Sequence, residues 1–471
     1  MRYYLAIDIG ASSGRHILGH MEDGKLFLEE VYRFDNLAVT HGGQLCWDTK
    51  EQFSHILTGI KKCGDLGKIP VSVGIDTWGV DFALLDKDDQ IIGDTVAYRD
   101  RRTEGMDREL DRYISEDDLY RRTGIQKQPF NTIYQFLALK TQNPELLDRA
   151  ESFLFLPEFF HFLLTGVKKT EYSIASTSGL LEAREKTWDW ELIRKLGFPE
   201  RIFSKTICPP GTRVGGFSPA VEEAVGFQST VVLPACHDTG SAFLAVPAKD
   251  ENAVYISSGT WSLLGVENSE PITTPESRAA NFTNEGGYGY QYRYLQNIMG
   301  LWMIQSIRRD LNKEYSFAQM EQMAREVGDF PSRVDVNDGS FFAPDNMMDA
   351  VKNYCQKTGQ QIPGTVGEIV QCVYMSLAVC YGESVKNLEK ITGKKASAVN
   401  IVGGGTKDSY LNTLTAKVTG LPVYAGPAEG TALGNILAQM LTDGIFADVD
   451  EVRTCVRKSF EIKEYVGTEQ Q

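Results

Sequence analysis

The two halves of this sequence repeat one order of secondary-structure elements. Residues 3–19 predict a strand, a turn of small polar residues and a return strand, and residues 253–265 repeat that order. A second pattern, in which a strand runs into a helix of small residues, occurs at 231–245 and again at 423–435. We interpret this repetition as a duplicated α/β domain with a ligand cleft between the two copies.

The length of the chain agrees with two domains. At 471 residues it exceeds what one hydrophobic core usually supports, and we predict domains at 1–246 and 247–471. The composition, 42% hydrophobic and 24% charged, is typical of a globular protein. Because the net charge is −15 and the basic residues are scattered, we expect neither nucleic acid nor a membrane as a partner.

Cysteine usage and the N-terminal residues indicate the compartment. Eight cysteines occur without a C-x-x-C pair, so we do not expect a zinc site. Cys355 and Cys372 could meet if neighbouring helices bring them together, and the sequence leaves their pairing open. The first residues contain too short an apolar run for a signal peptide, and no stretch approaches 18 apolar residues. We therefore expect a cytoplasmic protein of unknown oligomeric state.

The candidate catalytic residue is Asp238, within the segment PACHDTGSA at 234–242. The apolar residues Val231–Leu233 predict a buried strand, and the small residues after Thr239 predict a closely packed helix. A carboxylate at such a junction can accept a proton from a substrate hydroxyl or can cap the helix. Both interpretations remain open on these residues alone.

A candidate phosphate site follows the first strand. The segment DIGASSGR at 8–15 places a carboxylate, Asp8, before a tight turn of small residues with two hydroxyl groups. Backbone N–H groups in such a turn can contact phosphate oxygens, and Asp8 can hold a metal ion through water. The alternative is an ordinary Gly-Ser hairpin, and we favour the phosphate site.

Two further segments are candidates for ligand contact. The pair Trp78-Gly79 after the strand 71–76 suits the face of a sugar, although a tryptophan that only fills the core is an equal alternative. The three glycines 403–405, after the strand 399–402, would allow backbone to lie flat against adenine, although flexible turns use glycine too. The pattern at 366–388 predicts the longest amphipathic helix, whereas residues 186–230 and 310–365 indicate no function.

These features together indicate phosphoryl transfer. That reaction depends mainly on positioning and charge neutralisation, so an aspartate near its ordinary pKa of ~3.9 is an adequate base. The Walker loop and the protein-kinase signatures are both missing from the sequence. A nucleotide site built from duplicated hairpins is the remaining hypothesis.

The motifs resemble those of the FGGY family of sugar kinases, which has the actin and Hsp70-like (ribonuclease H-like) ATPase fold. The similar segments span almost the whole chain in the family's order. They are DIGASSGR at 8–15, IDTWGVDF at 75–82, AYRDRRT at 97–103, GIQ at 124–126, PFNTIYQ at 129–135, HDTGSA at 237–242, SSGTWSLLG at 257–265, NIMGLW at 297–302, IVGGG at 401–405 and AEGTALGN at 428–435.

The resemblance implies a role for each candidate residue. It implies that ATP contacts Ala11, Ser12, Ser13, Gly14, Arg15, Thr260, Gln305 and Gly404, and that Asp8 organises Mg²⁺. It implies that the sugar contacts Gly79, His237, Asp238, Thr239 and Asn297, with Asp238 as proton acceptor. The implied reaction, a step of L-rhamnose catabolism, converts ATP and L-rhamnulose to ADP and L-rhamnulose 1-phosphate, and fuculose or xylulose is the alternative ketose.

Two other classes of protein on related folds are disfavoured. An Hsp70-like chaperone would need a peptide-binding domain, and under 30 residues follow the last matched segments, which run to about residue 442. A sugar-sensing repressor would need a helix-turn-helix segment, whereas the first strand is expected to start by Tyr3. We therefore expect an enzyme.

Overall fold

A computed structural model describes residues 1–467. Its strands alternate with helices along most of the chain. The strands are β1 (Tyr3–Ile9), β2 (Ser13–Glu22), β3 (Lys25–Asp35), β4 (Val39–His41), β5 (Gln44–Cys46), β6 (Pro70–Thr77), β7 (Phe82–Leu85), β8 (Ile91–Ile92), β9 (Ser152–Phe155), β10 (Thr170–Glu171), β11 (Leu181–Glu182), β12 (Thr187–Trp188), β13 (Ile207–Cys208), β14 (Arg213–Gly216), β15 (Thr230–Val232), β16 (Val254–Ser258), β17 (Trp261–Asn268), β18 (Thr283–Gly286), β19 (Tyr292–Met299), β20 (Val399–Val402), β21 (Val423–Ala425) and β22 (Lys463–Tyr465).

The α-helices vary from five to 27 residues. They are α1 (Thr49–Asp65), α2 (Met106–Leu110), α3 (Glu116–Thr123), α4 (Thr132–Gln142), α5 (Pro144–Arg149), α6 (Leu156–Thr165), α7 (Tyr172–Ser176), α8 (Trp190–Leu196), α9 (Pro219–Val225), α10 (Asp238–Leu244), α11 (Pro275–Ala279), α12 (Trp302–Asp310), α13 (Phe317–Val327), α14 (Met347–Lys357), α15 (Val366–Thr392), α16 (Ser409–Thr419), α17 (Gly430–Thr442) and α18 (Val449–Ser459).

The chain forms two compact units that are not contiguous in sequence. Among the described residues, the first contains 1–245, 267–294 and 431–459, and the second contains 246–266, 295–430 and 460–467. The first segment ends close to the predicted boundary at 246, but two later segments also belong to the first unit. Local sequence patterns could not indicate this, because contacts between distant residues decide which unit a segment joins.

The first unit is built on a six-stranded sheet with the order β14-β15-β6-β1-β2-β3. Strands β1, β6 and β15 are parallel to one another, and β2 and β3 continue the sheet as antiparallel neighbours. Both faces of β1 and β6 are covered, so these strands read as continuous apolar runs. The carboxyl ends of three parallel strands therefore meet at one edge.

The second unit repeats this arrangement. Its strand β16 pairs antiparallel with β17 and parallel with β20, and β20 pairs parallel with β21. The order β17-β16-β20-β21 thus matches the order β2-β1-β6-β15 of the first unit in both sequence and direction. The predicted α/β class and the duplicated topology are confirmed.

Most of the predicted elements have the predicted positions. Strands β1 and β20 have the predicted bounds, and α15 is the longest helix described. Its extra turn, to Thr392, ends at Gly393 in the left-handed conformation that favours glycine. None of the helices within residues 1–467 combines the length and apolar composition that crossing a bilayer requires.

The cysteines are all reduced, and seven of the eight are buried. The thiols of Cys355 on α14 and Cys372 on α15 are in hydrogen-bond contact, so these helices do bring the two residues together. Burial raises the pKa of the Cys372 thiol to about 12, which makes it unreactive at neutral pH.

Candidate active site

Three carboxylates gather at the carboxyl edge of the first sheet. Asp8 lies near the end of β1, Asp76 is its partner in register on the parallel strand β6, and Asp238 follows β15 as the first residue of α10. Burial raises the pKa of both other carboxyl groups, and the charge of Asp8 raises both further, so the three are electrostatically coupled. Ligands of open parallel sheets bind at this edge, where helix N-termini and loops converge.

Asp8 is held by an ion pair across the first hairpin. Arg15, its partner in the β1–β2 register, donates from Nη2 to Asp8 Oδ2 at 2.7 Å. The Asp8 side chain is only 8% exposed and that of Arg15 is 25% exposed. The pair therefore places one anionic and one cationic group beside the turn that the sequence assigns to phosphate.

That turn presents backbone donors. Gly10 N–H donates to Ser13 O, and the side chain of Asn36 donates to Gly10 O at 2.7 Å, which fixes the turn. Among the described residues, no acceptor receives the amide N–H groups of Ala11 and Ser12. The half-buried Ala11 and the exposed Ser12 thus offer two N–H groups to an anion.

Gly14 has a different reason for being glycine. It lies within β2 opposite Phe34, and an added Cβ atom would come within 2.2 Å of the Phe34 ring. The residue is buried and serves the packing of the sheet rather than the exposure of backbone. Its predicted contact with phosphate stays a prediction.

Asp76 is a functional candidate that the sequence analysis did not select. Its side chain is completely buried, and Asn435 on α17 donates to Oδ2 at 2.6 Å. Its Oδ1 atom has no hydrogen-bond partner in the described part of the chain. Burial, followed by the charge of Asp8, raises its pKa well above the ordinary value. The repeated pair Ile-Asp at 7–8 and 75–76 was the available signal.

Asp238 lies where the sequence predicted, but it does not cap its helix. His237 occupies the N-cap position, and Asp238 is the first helical residue, whose Oδ1 accepts from its neighbour Thr239 N–H at 2.5 Å. The helix packs closely against α17, since a Cβ atom on Gly434 would lie 1.7 Å from the Ser241 carbonyl oxygen. The role of Asp238 as the base stays a prediction.

The environment of Asp238 raises the pKa of its carboxyl group. Burial raises its pKa to about 6, opposed by His237 and reinforced by Asp8. The sequence led us to regard an ordinary pKa as adequate for a base, and the pKa of this group is instead raised, mainly because the carboxyl group is buried. With 24% of its side chain exposed, the carboxyl group can still reach a substrate.

His237 and Thr239 flank Asp238 and share one partner. Arg293 on β19, completely buried, donates from Nη1 to Thr239 Oγ1 at 2.5 Å, and its Nη2 lies 3.0 Å from His237 Nδ1. Glu285 Oε2 lies 3.2 Å from the same Nη2 atom. Three of the predicted sugar residues therefore belong to one cluster with Arg293 and Glu285.

Gly79 adjoins this cluster. A Cβ atom on Gly79 would lie 3.2 Å from Thr177 Oγ1 and 3.4 Å from His237 Nε2. The next residue, Val80, has a φ of 71°, and Asp81 N–H donates to Gly79 O, which describes a γ-turn in a conformation that valine rarely adopts. Such strain persists only where the surroundings hold it in place.

Asp81 provides that support. Its buried carboxylate accepts hydrogen bonds from both neighbouring tryptophans, from the Tyr98 amide and from the Gln135 side chain, at 2.7 to 3.1 Å. The indole N–H groups of Trp47 and Trp78 converge on its Oδ2 atom. Trp78 is therefore a buried structural residue, and the hypothesis of a sugar-stacking ring is disfavoured, whereas Gly79 remains available.

Buried hydrogen bonds hold the backbone of the loop that precedes Asp238. Glu171, completely buried, accepts from Cys236 N–H at 3.1 Å and from Ser173 Oγ–H at 2.6 Å. Ser173 Oγ in turn accepts from His237 N–H at 3.2 Å. Thr77 N–H donates to Cys236 O, which joins this loop to the end of β6.

The candidate nucleotide residues of the second unit lie around the end of β16. Thr260 is in the turn between β16 and β17, and its carbonyl accepts from Trp302 N–H at the start of α12, the helix that carries Gln305. Gly403 and Gly405 pack against Ser258, since a Cβ atom on either would come within 2.8 Å of it. Only Gly404, exposed and without that restriction, suits contact with a planar ligand.

Asn297 lies on β19, in the part of that strand that belongs to the second unit. Asn297 is half-buried and follows Arg293 by four positions on the strand. The roles predicted for Asn297, Thr260, Gln305 and Gly404 stay predictions.

The carboxylates fit Mg²⁺ held largely through water. Magnesium prefers oxygen ligands and usually combines one or two carboxylates with waters and phosphates. Its charge would offset the repulsion by which Asp8 raises the pKa of Asp76 and Asp238. Within residues 1–467, no three histidine, cysteine or acidic side chains form a cage for a metal ion. A site completed by phosphate oxygens therefore agrees with the residues present.

Two family models cover most of the chain. The N-terminal domain of the FGGY family of carbohydrate kinases matches residues 3–245, and the C-terminal domain of that family matches residues 254–442.

Full-length relatives and solved structures agree with these matches. The chain is 48% identical over 471 residues to the rhamnulokinase of Halalkalibacterium halodurans, covering 100% of both chains. It is 40% identical to the rhamnulokinase of Bacillus subtilis, covering 98% of this chain and 94% of the relative. The structures of a xylulose kinase and a gluconate kinase from Lactobacillus acidophilus share the fold at 19% and 18% identity, with TM-scores of 0.80 and 0.81. Each comparison covers 99% of this chain and 94% of the solved chain. This protein belongs to the FGGY family of carbohydrate kinases.

Proposed function

We propose that this protein transfers the γ-phosphate of ATP to L-rhamnulose, forming L-rhamnulose 1-phosphate in the cytoplasm. The observation that carries the proposal is the 48% identity, over the whole of both chains, to a relative named rhamnulokinase. The cluster of Gly79, His237, Asp238 and Thr239 at one sheet edge supports a small polyhydroxylated substrate there.

Asp238 acts as the proton acceptor in this proposal. The hydroxyl group of the ketose loses its proton to the carboxylate as it attacks the γ-phosphorus atom, and ADP leaves. A pKa of about 6 keeps the group mostly ionised at neutral pH and makes it a stronger base than an ordinary aspartate.

Asp8 and the turn from Ala11 to Arg15 serve the phosphates. The N–H groups of Ala11 and Ser12 and the guanidinium of Arg15 bind anionic oxygens, while Thr260, Gln305 and Gly404 contact the rest of the nucleotide. Asp8 would hold Mg²⁺ through water, and the ion would supply charge neutralisation at the phosphates. We retain 1–246 and 247–471 as the proposed sequence domains.

The experiment that tests the proposal is a coupled ADP-release assay across ketoses, aldoses and glycerol. We expect L-rhamnulose to have the highest kcat/KM, with L-fuculose and xylulose lower. A higher kcat/KM for either of those ketoses would change the proposed substrate but would not contradict the proposed kinase activity. Lack of activity with every sugar would overturn the proposed function.

A further inference from the structure

Arg293 has a hydrogen-bond partner at each guanidinium nitrogen and lies near the candidate base. It is fully buried, and three of its nitrogen atoms have separate acceptors: Nε donates to Gly286 O at 2.8 Å, Nη1 donates to Thr239 Oγ1, and Nη2 approaches Glu285 and His237. A planar guanidinium bound at each nitrogen cannot rotate. The position of its Nη2–H groups is therefore fixed relative to the His237 ring.

This geometry selects one tautomer of His237. A guanidinium can only donate hydrogen bonds, and Arg293 Nη2 lies 3.0 Å from His237 Nδ1, so Nδ1 must be the acceptor. A proton on Nδ1 would instead face an Nη2 hydrogen at that distance. In a neutral imidazole the proton then resides on Nε2.

Glu285 offers the competing arrangement. Its Oε2 atom lies 3.3 Å from His237 Nδ1 and 3.2 Å from Arg293 Nη2, so a proton on Nδ1 could in principle point toward it. The shorter contact is the one between His237 and Arg293, and Glu285 is needed as the counter-ion of a fully buried arginine. Glu285 therefore neutralises Arg293, and Arg293 orients His237.

The protonated nitrogen faces the reacting groups. His237 Nε2 lies 3.4 Å from Thr239 Oγ1 and 3.6 Å from Asp238 Oδ1, and a Cβ atom on Gly79 would lie 3.4 Å from the same nitrogen. A donor and a base this close can contact oxygens on adjacent carbon atoms of one sugar.

We propose that Arg293 is a positioning residue that holds His237 with its proton on Nε2, so that His237 donates to the ketose oxygen adjacent to the hydroxyl that Asp238 deprotonates. The inference rests on the proposed function for the identity of the ligand, but the tautomer is a property of the free protein. The residue acts through His237 and Thr239 and makes no contact with the reacting atoms itself.

The test combines nitrogen NMR with kinetics. The protein has six histidines, so ¹⁵N-histidine labelling and a His237→Gln variant would assign the His237 signals. We expect the Nε2–H pattern in the free wild-type protein. Arg293→Lys should abolish that single pattern and raise KM for the ketose up to about tenfold, as expected for the loss of the hydrogen bond from His237 to the sugar. The affinity for ATP without sugar should be unchanged.

A matched control and two further variants keep the outcomes distinct. Arg194→Lys alters an arginine that is 60% exposed and paired with Glu200, and it should change neither readout. If Arg293→Lys does not fold, Glu285→Gln replaces it, and the Nε2–H pattern should persist because Arg293 still donates. His237→Gln, whose amide N–H can replace Nε2–H, should retain more sugar affinity than His237→Asn.

The contrary results are equally definite. An Nδ1–H pattern in the wild-type protein would overturn the proposal, and so would a change from the Nε2–H to the Nδ1–H pattern in Glu285→Gln. An unchanged KM for the ketose in a folded Arg293→Lys variant would also overturn it. If no ketose is phosphorylated, the proposed function fails while the NMR result still decides the tautomer.

Discussion

The pH dependence of the reaction follows from the burial of Asp238. A general base must be ionised, and the pKa of this group is raised to about 6. At pH 7 about 90% of the molecules would carry the carboxylate, and at pH 5 only about 10%. With an ordinary pKa of ~3.9, more than about 90% would remain ionised at pH 5. We therefore expect kcat/KM to fall about tenfold from pH 7 to pH 5.

The assay should report the free enzyme. Initial rates of ADP release are measured from pH 5 to pH 8 with both substrates well below KM, so that the profile gives the pKa of the unliganded base. Enzyme returned from pH 5 to pH 7 must regain full activity, which excludes unfolding. A rate that is equal at pH 5 and pH 7 would refute the assignment of a raised pKa to the base.

The source of the shift can be tested separately. Asp8 contributes to the raised pKa of Asp238 through its negative charge, so Asp8→Asn should move the acidic limb of the profile to lower pH. Asp88→Asn, which changes a carboxylate that is 67% exposed and paired with Lys87, should leave the limb in place. An unmoved limb in Asp8→Asn would contradict the electrostatic coupling of the carboxylates.

Three further substitutions test individual parts of the site. Asp238→Asn should lower kcat by at least ~10²-fold while ATP still binds, and stopped-time ADP assays showing near-normal turnover would exclude Asp238 as the base. Gly79→Ala should raise KM for the ketose about tenfold, because its Cβ would lie 3.4 Å from His237 Nε2 within the proposed sugar site; an unchanged KM would place the sugar elsewhere. Asp81→Ala should destabilise the fold by about 3 kcal/mol or more, since three buried or partly buried donors lose their acceptor, and a wild-type Tm in differential scanning fluorimetry would contradict this role.

Local sequence patterns determined the elements and the order in which they occur. Alternation of apolar strands with turns of small residues located β1, β20 and α15, and the repeated order indicated the duplicated topology. The same patterns placed Asp8 at the end of one strand and Asp238 at a strand–helix junction. These predictions succeeded because each depends on residues within one or two elements of each other.

The tertiary structure alone decided which residues surround the base. Arg293 is 56 residues from His237 in the chain, and Asn435 is 359 residues from Asp76, so no local pattern links either pair. The same holds for Glu171, whose carboxylate supports the backbone of Cys236. The raised pKa of Asp238 likewise depends on burial by several distant segments. Sequence determined where a carboxylate would stand, and long-range packing determined its charge, its neighbours and its orientation.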